Sequence, residues 1–253
     1  MSGAVIVLIH GAWAGPWVWD SIIDRLSTAG HRPYAVALPG VGDAIDPDVP
    51  ITLEMLTDSV IADIAGFDGP LVIVGHSGGG VVATQVAERL HDRVAGVVFV
   101  AGMMLPSGRS FDDICADVDL PSTVGITADL EFTAERRIST VPVDVSSTVF
   151  FQRADPAAAA DASRRLRPQQ ESARLITPTW TTTRYGSIPK LYIEALDDRS
   201  VPLSAQRRMQ EISHGVEIFS LDSDHAPQLS ATDELATVIA NYSNRLCSVS
   251  LAP

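Results

Sequence analysis

The sequence predicts an α/β fold, built on a parallel sheet that helices cover on both faces. Short apolar runs without helical periodicity alternate with amphipathic segments, which is typical of parallel strands buried on both sides. With 253 residues, of which 46% are hydrophobic, the chain is long enough to bury one large core. One domain with an insertion is therefore expected.

The elements follow from this alternation. In chain order we predict a strand at 5–9, a helix that ends at Gly30, a strand at 34–38, a helix at 52–65, a strand at 71–74, a helix at 78–90 and a strand at 95–101. After Gly102, short amphipathic pieces alternate with prolines, and strand-like runs of comparable strength return only at 190–195 and 216–219. A final helix is predicted at 232–246. We therefore predict a core of residues 1–102 and 186–253, with a helical cap at 103–185 over the carboxyl edge of the sheet.

Charge and composition limit the partners. The formal net charge is −13, which disfavours binding to nucleic acid or to anionic membranes. Neither cysteine has a neighbour at metal-ligand or disulfide spacing, so no metal and no cofactor is expected. The first apolar run is too short for a signal peptide, and no run approaches the length of a membrane span, so a cytoplasmic protein is expected. The sequence leaves a homodimer open.

Ser77 is the candidate nucleophile. It follows the apolar run 71–74 in the pattern Gly75-His76-Ser77-Gly78-Gly79, directly before a helical pattern. A serine at this position can simply cap the helix. A cap does not need glycine on both sides, however, and the carboxyl ends of parallel strands are where α/β sheets bind ligands. The pattern therefore favours a serine lifted clear of the sheet on a sharp strand-to-helix turn.

A serine hydroxyl needs a base, and the base needs a carboxylate that orients it. Of the six histidines, His225 lies in the loop just after the last predicted strand, where a base would reach Ser77. Asp197 and Asp198 end the preceding strand. Asp222 and Asp224 lie so close to His225 that they are better suited to shaping its loop. The residues alone leave Asp197 and Asp198 as alternatives.

Backbone N–H groups and apolar side chains complete the predicted site. Ala12 and Gly78 are the candidate oxyanion donors, with Trp13 as an alternative to Ala12, because acyl transfer needs donors where the carbonyl oxygen gains charge. Candidate pocket residues are Trp13, His76, Phe151 and Trp180. Taken one by one, the apolar residues of the cap fit a small core of its own better than a pocket wall.

These motifs resemble the α/β-hydrolase fold, and more narrowly the group of plant methyl-ester esterases, hydroxynitrile lyases and bacterial esterase relatives. The similar stretches are His10-Gly11-Ala12 with Trp17 and Trp19, Gly75 to Gly79, Arg184 to Ile188, Asp198 to Pro202, Asp224-His225 and the cap segment 151–169. The resemblance implies about six mostly parallel strands with a helical cap. It also implies Asp198 as the acid and His225 as the base.

Two positions separate the branches of this group. Its hydroxynitrile lyases carry threonine after the first-strand histidine and lysine after the catalytic histidine, where this sequence has Gly11 and Ala226. Without a cation beside His225, a departing cyanide has no stabilising partner. We therefore predict a cofactor-free serine hydrolase that cleaves carboxylic esters of small, mainly apolar substrates. The alternatives are a lactonase, a polyketide-type cyclase or decarboxylase at the same site, a hydroxynitrile lyase and a non-catalytic small-molecule sensor.

Overall fold

The computed structural model describes residues 3–249 of the chain. Within these residues the strands are β1 (Val5–Ile9), β2 (Arg32–Val36), β3 (Leu71–His76), β4 (Val94–Val100), β5 (Glu131–Thr133), β6 (Ile138–Thr140), β7 (Gln169–Gln170), β8 (Lys190–Ala195) and β9 (Val216–Leu221). The α-helices are α1 (Asp20–Thr28), α2 (Leu53–Asp63), α3 (Gly79–Arg89), α4 (Phe111–Asp117), α5 (Val143–Val149), α6 (Pro156–Arg165), α7 (Glu171–Arg174), α8 (Leu203–Ile212), α9 (Pro227–Ser230) and α10 (Thr232–Val249). None of these helices combines the length and the hydropathy that a membrane crossing requires.

Six strands form the main sheet in the order β2-β1-β3-β4-β8-β9, and every neighbouring pair is parallel. The predicted α/β-hydrolase fold is confirmed. Because all six strands run in one direction, the loops that follow β3, β8 and β9 leave the sheet at the same edge. These three loops carry Ser77, Asp198 and His225.

The core lies on both faces of the sheet because side chains alternate along each strand. In β1, Val5, Val7 and Ile9 pack with residues of α2, α3 and α8. The intervening Ile6 and Leu8 pack with residues of α1 and α10. All five side chains are buried, which explains why the strands appear in the sequence as unbroken apolar runs.

The second strand begins two residues earlier than predicted. Pro33 lies within β2, and β2 is an edge strand, where a missing N–H group is tolerated. Leu38 leaves the sheet, and its backbone N–H group instead donates to His10 Nε2 at 3.2 Å. The apolar pattern at 34–38 thus belongs partly to the loop that follows β2.

Segment 103–185 contains short helices, as predicted, but it also contains the antiparallel sheet β5-β6-β7, which was not. These strands have two or three residues each and include polar side chains that are buried, such as Ser139 and Gln169. Strands this short give no alternation that a sequence pattern would reveal. The division into a core and a cap at 103–185 stays a prediction.

Both ends of this segment are anchored to the unit formed by β3 and α3. The Met103 N–H group donates to the carbonyl oxygen of Ser77 at 2.9 Å. At the other end, the buried Glu88 carboxylate accepts from the N–H groups of Thr181 and Tyr185, both at 3.1 Å. Glu88 lies in the last turn of α3, so the same helix that starts beside Ser77 also holds the returning chain.

Candidate active site

Ser77 lies on a strained turn between β3 and α3. Its φ angle is +51°, in the left-handed region, where a non-glycine residue costs roughly 1–2 kcal/mol. The turn brings α3 against the end of β1, since a Cβ atom on Gly79 would lie 2.5 Å from the carbonyl oxygen of His10. Only glycine fits there. The motif predicted from the sequence therefore adopts the turn that exposes a serine above the sheet.

A buried pair of side chains lies after β8 and β9. His225 Nδ1 and Asp198 Oδ2 are 2.8 Å apart, and both side chains are almost fully inaccessible to solvent. The Ser200 and Val201 N–H groups donate to Asp198 Oδ1 at 2.7 and 2.8 Å. These two bonds orient the carboxylate toward the ring. Because Nδ1 donates to Asp198, Nε2 is the ring nitrogen left to accept a proton.

His76 links the loop of His225 to the turn of Ser77. Its Nε2 donates to the carbonyl oxygen of His225 at 2.7 Å, and the two imidazole rings lie 4.9 Å apart. Ser77 Oγ itself donates no hydrogen bond within residues 3–249, so a bond from Ser77 to His225 is not formed here. Catalytic hydrogen bonds are often long before substrate binds and shorten in the complex.

Two histidines near the site are held neutral. Burial lowers the pKa of His10 to about 4, although the bond from its Nδ1 to the Gly11 carbonyl oxygen opposes this shift. Burial, with a smaller contribution from the nearby His225, lowers the pKa of His76 to about 3. Both rings bond the backbone of active-site loops, so they support these loops as neutral groups.

The predicted oxyanion donors lie at the edge of the site. Ala12 and Gly78 both line a cavity together with Ser77, and neither N–H group has an acceptor within residues 3–249. The Trp13 N–H group, the alternative to that of Ala12, already donates to Gln169 Oε1 at 3.2 Å. Trp13 has a φ angle of +59°, in the left-handed region. Ala12 is therefore the better placed donor of the two.

The cavity above Ser77 has a volume of about 290 Å³ and is lined largely by apolar side chains. Of the four predicted pocket residues, only Trp13 lies on its wall. His76 lies behind the turn of Ser77, and Phe151 packs into a cluster of cap residues. Trp180 packs on Tyr185 and donates to the carbonyl oxygen of Leu105 at 3.0 Å. None of these three side chains lies on the cavity wall, so their assignment to the pocket is corrected.

The other candidate carboxylates have separate partners. Asp222 forms an exposed ion pair with Arg153 at 2.5 Å. Asp224 is fully buried and accepts from the N–H groups of Arg153 and Ala226 at 2.8 and 3.1 Å, which shapes the loop of His225. Asp197 is partly exposed, and its backbone bonds Ser223. Of the four, Asp198 is the one bonded to His225.

Gln206, which the sequence analysis missed, supports the acid. This fully buried residue of α8 donates from Nε2 to the Val201 carbonyl oxygen at 2.8 Å and to Asp198 Oδ2 at 3.4 Å. It also bonds both the N–H and the C=O group of Ala195 at 3.1 Å. A single glutamine in an amphipathic helix carries no sequence signal for this role. Within residues 3–249, no cluster of three or more His, Cys, Asp or Glu side chains is arranged to hold a metal.

The sheet order, the serine at a positive φ angle after β3 and the buried acid–histidine pair after later strands together define an α/β hydrolase. The chain matches the alpha/beta hydrolase family over residues 6–238, and it belongs to this family.

Named relatives narrow the comparison. The pyrethroid hydrolase of Sphingobium wenxiniae is 28% identical in an alignment of 254 positions, gaps included, that covers 94% of this chain and 87% of that protein. Esterase PIR7B of Oryza sativa subsp. japonica is 28% identical in an alignment of 258 positions that covers 94% of this chain and 95% of that protein. The crystal structure of a pyrethroid hydrolase from Sphingobium faniae JZ-2 has a TM-score of 0.85 at 28% identity and covers 95% of this chain and 97% of that one. These findings confirm the predicted resemblance and the predicted enzyme class, an esterase-type hydrolase.

Proposed function

We propose that the protein hydrolyses carboxylic esters through an acyl-enzyme, with Ser77 as nucleophile, His225 as general base and Asp198 as the residue that orients His225. The observation that carries this proposal is the buried bond of 2.8 Å between His225 Nδ1 and Asp198 Oδ2, at the sheet edge where Ser77 stands on its strained turn. A carboxylate at this position fixes the imidazole tautomer and stabilises the imidazolium that forms during catalysis.

In the first half-reaction, Ser77 Oγ attacks the ester carbonyl while His225 Nε2 takes the hydroxyl proton. His225 then gives this proton to the departing alkoxide, so an alcohol leaves and an acyl-enzyme remains. In the second half-reaction, a water molecule loses a proton to His225 and attacks the acyl group. Collapse of that intermediate returns the proton to Ser77 and releases the carboxylic acid.

The oxyanion of each tetrahedral intermediate is stabilised by the N–H groups of Ala12 and Gly78. Two features support this role: both residues line the cavity together with Ser77, and neither N–H group has an acceptor within residues 3–249. Donors held by the backbone need no reorganisation during the reaction, which makes each of them worth several kcal/mol in such sites.

Small, mainly apolar esters suit the cavity. Its volume of about 290 Å³ lies near the lower end of the range for small-molecule sites, and Leu38, Val82 and Met103 contribute to its apolar wall. Ala226, next to His225, brings no positive charge that would stabilise a departing cyanide. Ester hydrolysis is thus favoured over cyanohydrin cleavage.

The decisive experiment compares Ser77→Ala with a matched control, Ser21→Ala, in which an exposed serine of α1 is changed. We expect Ser77→Ala to abolish hydrolysis of short p-nitrophenyl esters and covalent labelling by a fluorophosphonate, while Ser21→Ala behaves as wild type. Retention of either activity by Ser77→Ala overturns the proposal.

A further inference from the structure

Arg174 is a charged residue that lines the apolar cavity above Ser77. Among the described residues that line this cavity, it is the only lysine or arginine, and Asp112 is the only aspartate or glutamate. Charged side chains at such walls normally have a partner. Arg174 is paired with Glu171, but this pairing uses only two of the three guanidinium nitrogens.

Glu171 binds one edge of the guanidinium. Arg174 Nε donates to Glu171 Oε1 at 2.8 Å, and Arg174 Nη2 donates to Oε2 at 2.5 Å. The Arg174 side chain is only 18% exposed and that of Glu171 is 11% exposed, so the pair is held mostly out of water. Within residues 3–249, Nη1 has no hydrogen-bond acceptor, and this atom is accessible.

The Glu171–Arg174 pair is held by hydrogen bonds that connect it to Trp13, the residue after Ala12. Ser139 Oγ donates to Glu171 Oε1 at 2.5 Å, and Trp13 Nε1 donates to Ser139 Oγ at 3.0 Å. The guanidinium carbon also lies 5.7 Å from the centre of the Trp13 ring. Because this network already restricts the arginine, its remaining donors can bind a ligand with little further loss of side-chain entropy.

The charge of this site favours an uncharged oxygen. Glu171 already balances Arg174, and the other charged residue that lines the cavity, Asp112, is negative, so the lining carries no unbalanced positive charge for a carboxylate of the substrate. Arg174 is one of the residues that line the cavity. Glu171 Oε1 already accepts from Ser139 and Arg174, and Oε2 accepts from Arg174, so the unused donors of the pair are those on Nη1. A ketone or a second ester carbonyl matches these requirements.

We propose that Arg174 is a specificity-determining residue whose Nη1 group binds an uncharged carbonyl oxygen located on the substrate away from the scissile ester. This inference rests on the proposed esterase function. It predicts that the preferred esters carry a second carbonyl group in the acyl or the alcohol part, rather than being purely hydrocarbon.

The test measures kcat/KM by pH-stat for matched ester pairs. Ethyl levulinate is compared with its isostere in which a methylene group replaces the ketone oxygen, and 3-oxobutyl acetate is compared with its methylene isostere to test the alcohol side. Monoethyl succinate places a carboxylate near the position of the ketone in ethyl levulinate. The variants are Arg174→Met, the charge-balanced Glu171→Gln/Arg174→Met, and the control Arg164→Met, an exposed arginine of α6.

We expect the wild type and Arg164→Met to prefer at least one ketone ester over its isostere by roughly tenfold or more, which is the effect of a hydrogen bond to a charged group. Both Arg174 variants should lose this preference. The measured quantity is the ratio of kcat/KM within each ester pair, because a general effect of the variants on the loop of Trp13 lowers both members of a pair alike. The double variant also removes the unpaired Glu171 that the single variant leaves, so an effect seen only in Arg174→Met reflects that carboxylate and contradicts the inference.

Three further outcomes overturn the inference: no ketone preference in the wild type, the same preference in the Arg174 variants, or faster cleavage of monoethyl succinate than of ethyl levulinate. Normal hydrolysis of the isosteres in these cases leaves the esterase function standing. Failure of the wild type to hydrolyse any of the esters overturns the proposed function and, with it, this inference.

Discussion

Replacing Asp198 with asparagine tests how the acid controls its histidine. Asp198 Oδ1 accepts from the N–H groups of Ser200 and Val201 at 2.7 and 2.8 Å. An asparagine must therefore turn its oxygen toward these two donors. Its NH₂ group then takes the place of Asp198 Oδ2, which lies 2.8 Å from His225 Nδ1. Two donors cannot bond each other, so the imidazole must move its proton from Nδ1 to Nε2.

A ring protonated on Nε2 cannot accept the proton of Ser77. We expect kcat/KM to fall by about 10⁴, as in other enzymes where the wrong tautomer is imposed, which corresponds to about 5 kcal/mol of transition-state stabilisation. The fold should be little affected, because both backbone bonds to Oδ1 persist. A loss of about 1–2 kcal/mol in the free energy of unfolding is expected from weakening the charged hydrogen bond.

The assay combines steady-state hydrolysis of p-nitrophenyl acetate with urea denaturation of the same preparations. Asp197→Asn is the matched control, since Asp197 adjoins Asp198 in the chain but is partly exposed. It should keep kcat/KM within about twofold of wild type. If Asp198→Asn keeps more than about a tenth of the activity, or if Asp197→Asn loses as much, the reasoning about the tautomer is wrong.

Three other perturbations probe the surroundings of the site. A Cβ atom on Gly11 would lie 2.8 Å from Ser77 Cβ, so Gly11→Ala should lower kcat/KM roughly tenfold or more by displacing one of the two residues; activity equal to wild type would contradict this. Gln206→Leu removes three neutral hydrogen bonds of 2.8–3.1 Å, so urea denaturation should show a loss of about 3 kcal/mol, and an unchanged midpoint would refute the estimate. Burial lowers the pKa of His10 to about 4 and that of His76 to about 3, both from 6.5. As the pH falls below 6.5, these histidines protonate first in the unfolded chain. The free energy of unfolding is therefore highest above pH 6.5 and falls as the pH approaches 4, by roughly 3 kcal/mol for His10 alone. A free energy of unfolding that stays constant between pH 6.5 and pH 4 would refute this direction.

The sequence was sufficient to predict the parts of the molecule that local chemistry determines. A buried parallel strand must be apolar throughout, and a nucleophile turn needs glycine where the helix crosses the sheet, so β3, Ser77 and Gly79 could be identified directly. The position of His225 just after the last predicted strand made it the candidate base. The choice of Asp198 over Asp197 depended on family resemblance, because both residues leave the same strand and only the backbone donors of the loop distinguish them.

The cavity wall could not be predicted in the same way. The orientations of Phe151 and Trp180 depend on how segment 103–185 folds, and aromatic residues serve equally well in a small core or on a pocket wall. The bonds from Gln169 to Trp13 and from Gln206 to the loop of Asp198 join positions that are distant in the chain. Polar residues buried for such contacts leave no periodic pattern behind.

The anchoring of segment 103–185 constrains how this segment can move relative to Ser77. Its first residue bonds the backbone of Ser77, and its last residues bond Glu88 on α3. A rigid swing of the whole segment away from the sheet would break the bond from Met103 to the backbone of Ser77. Any movement that widens the cavity is therefore expected between these two attachment points, where it leaves the backbone of Ser77 in place.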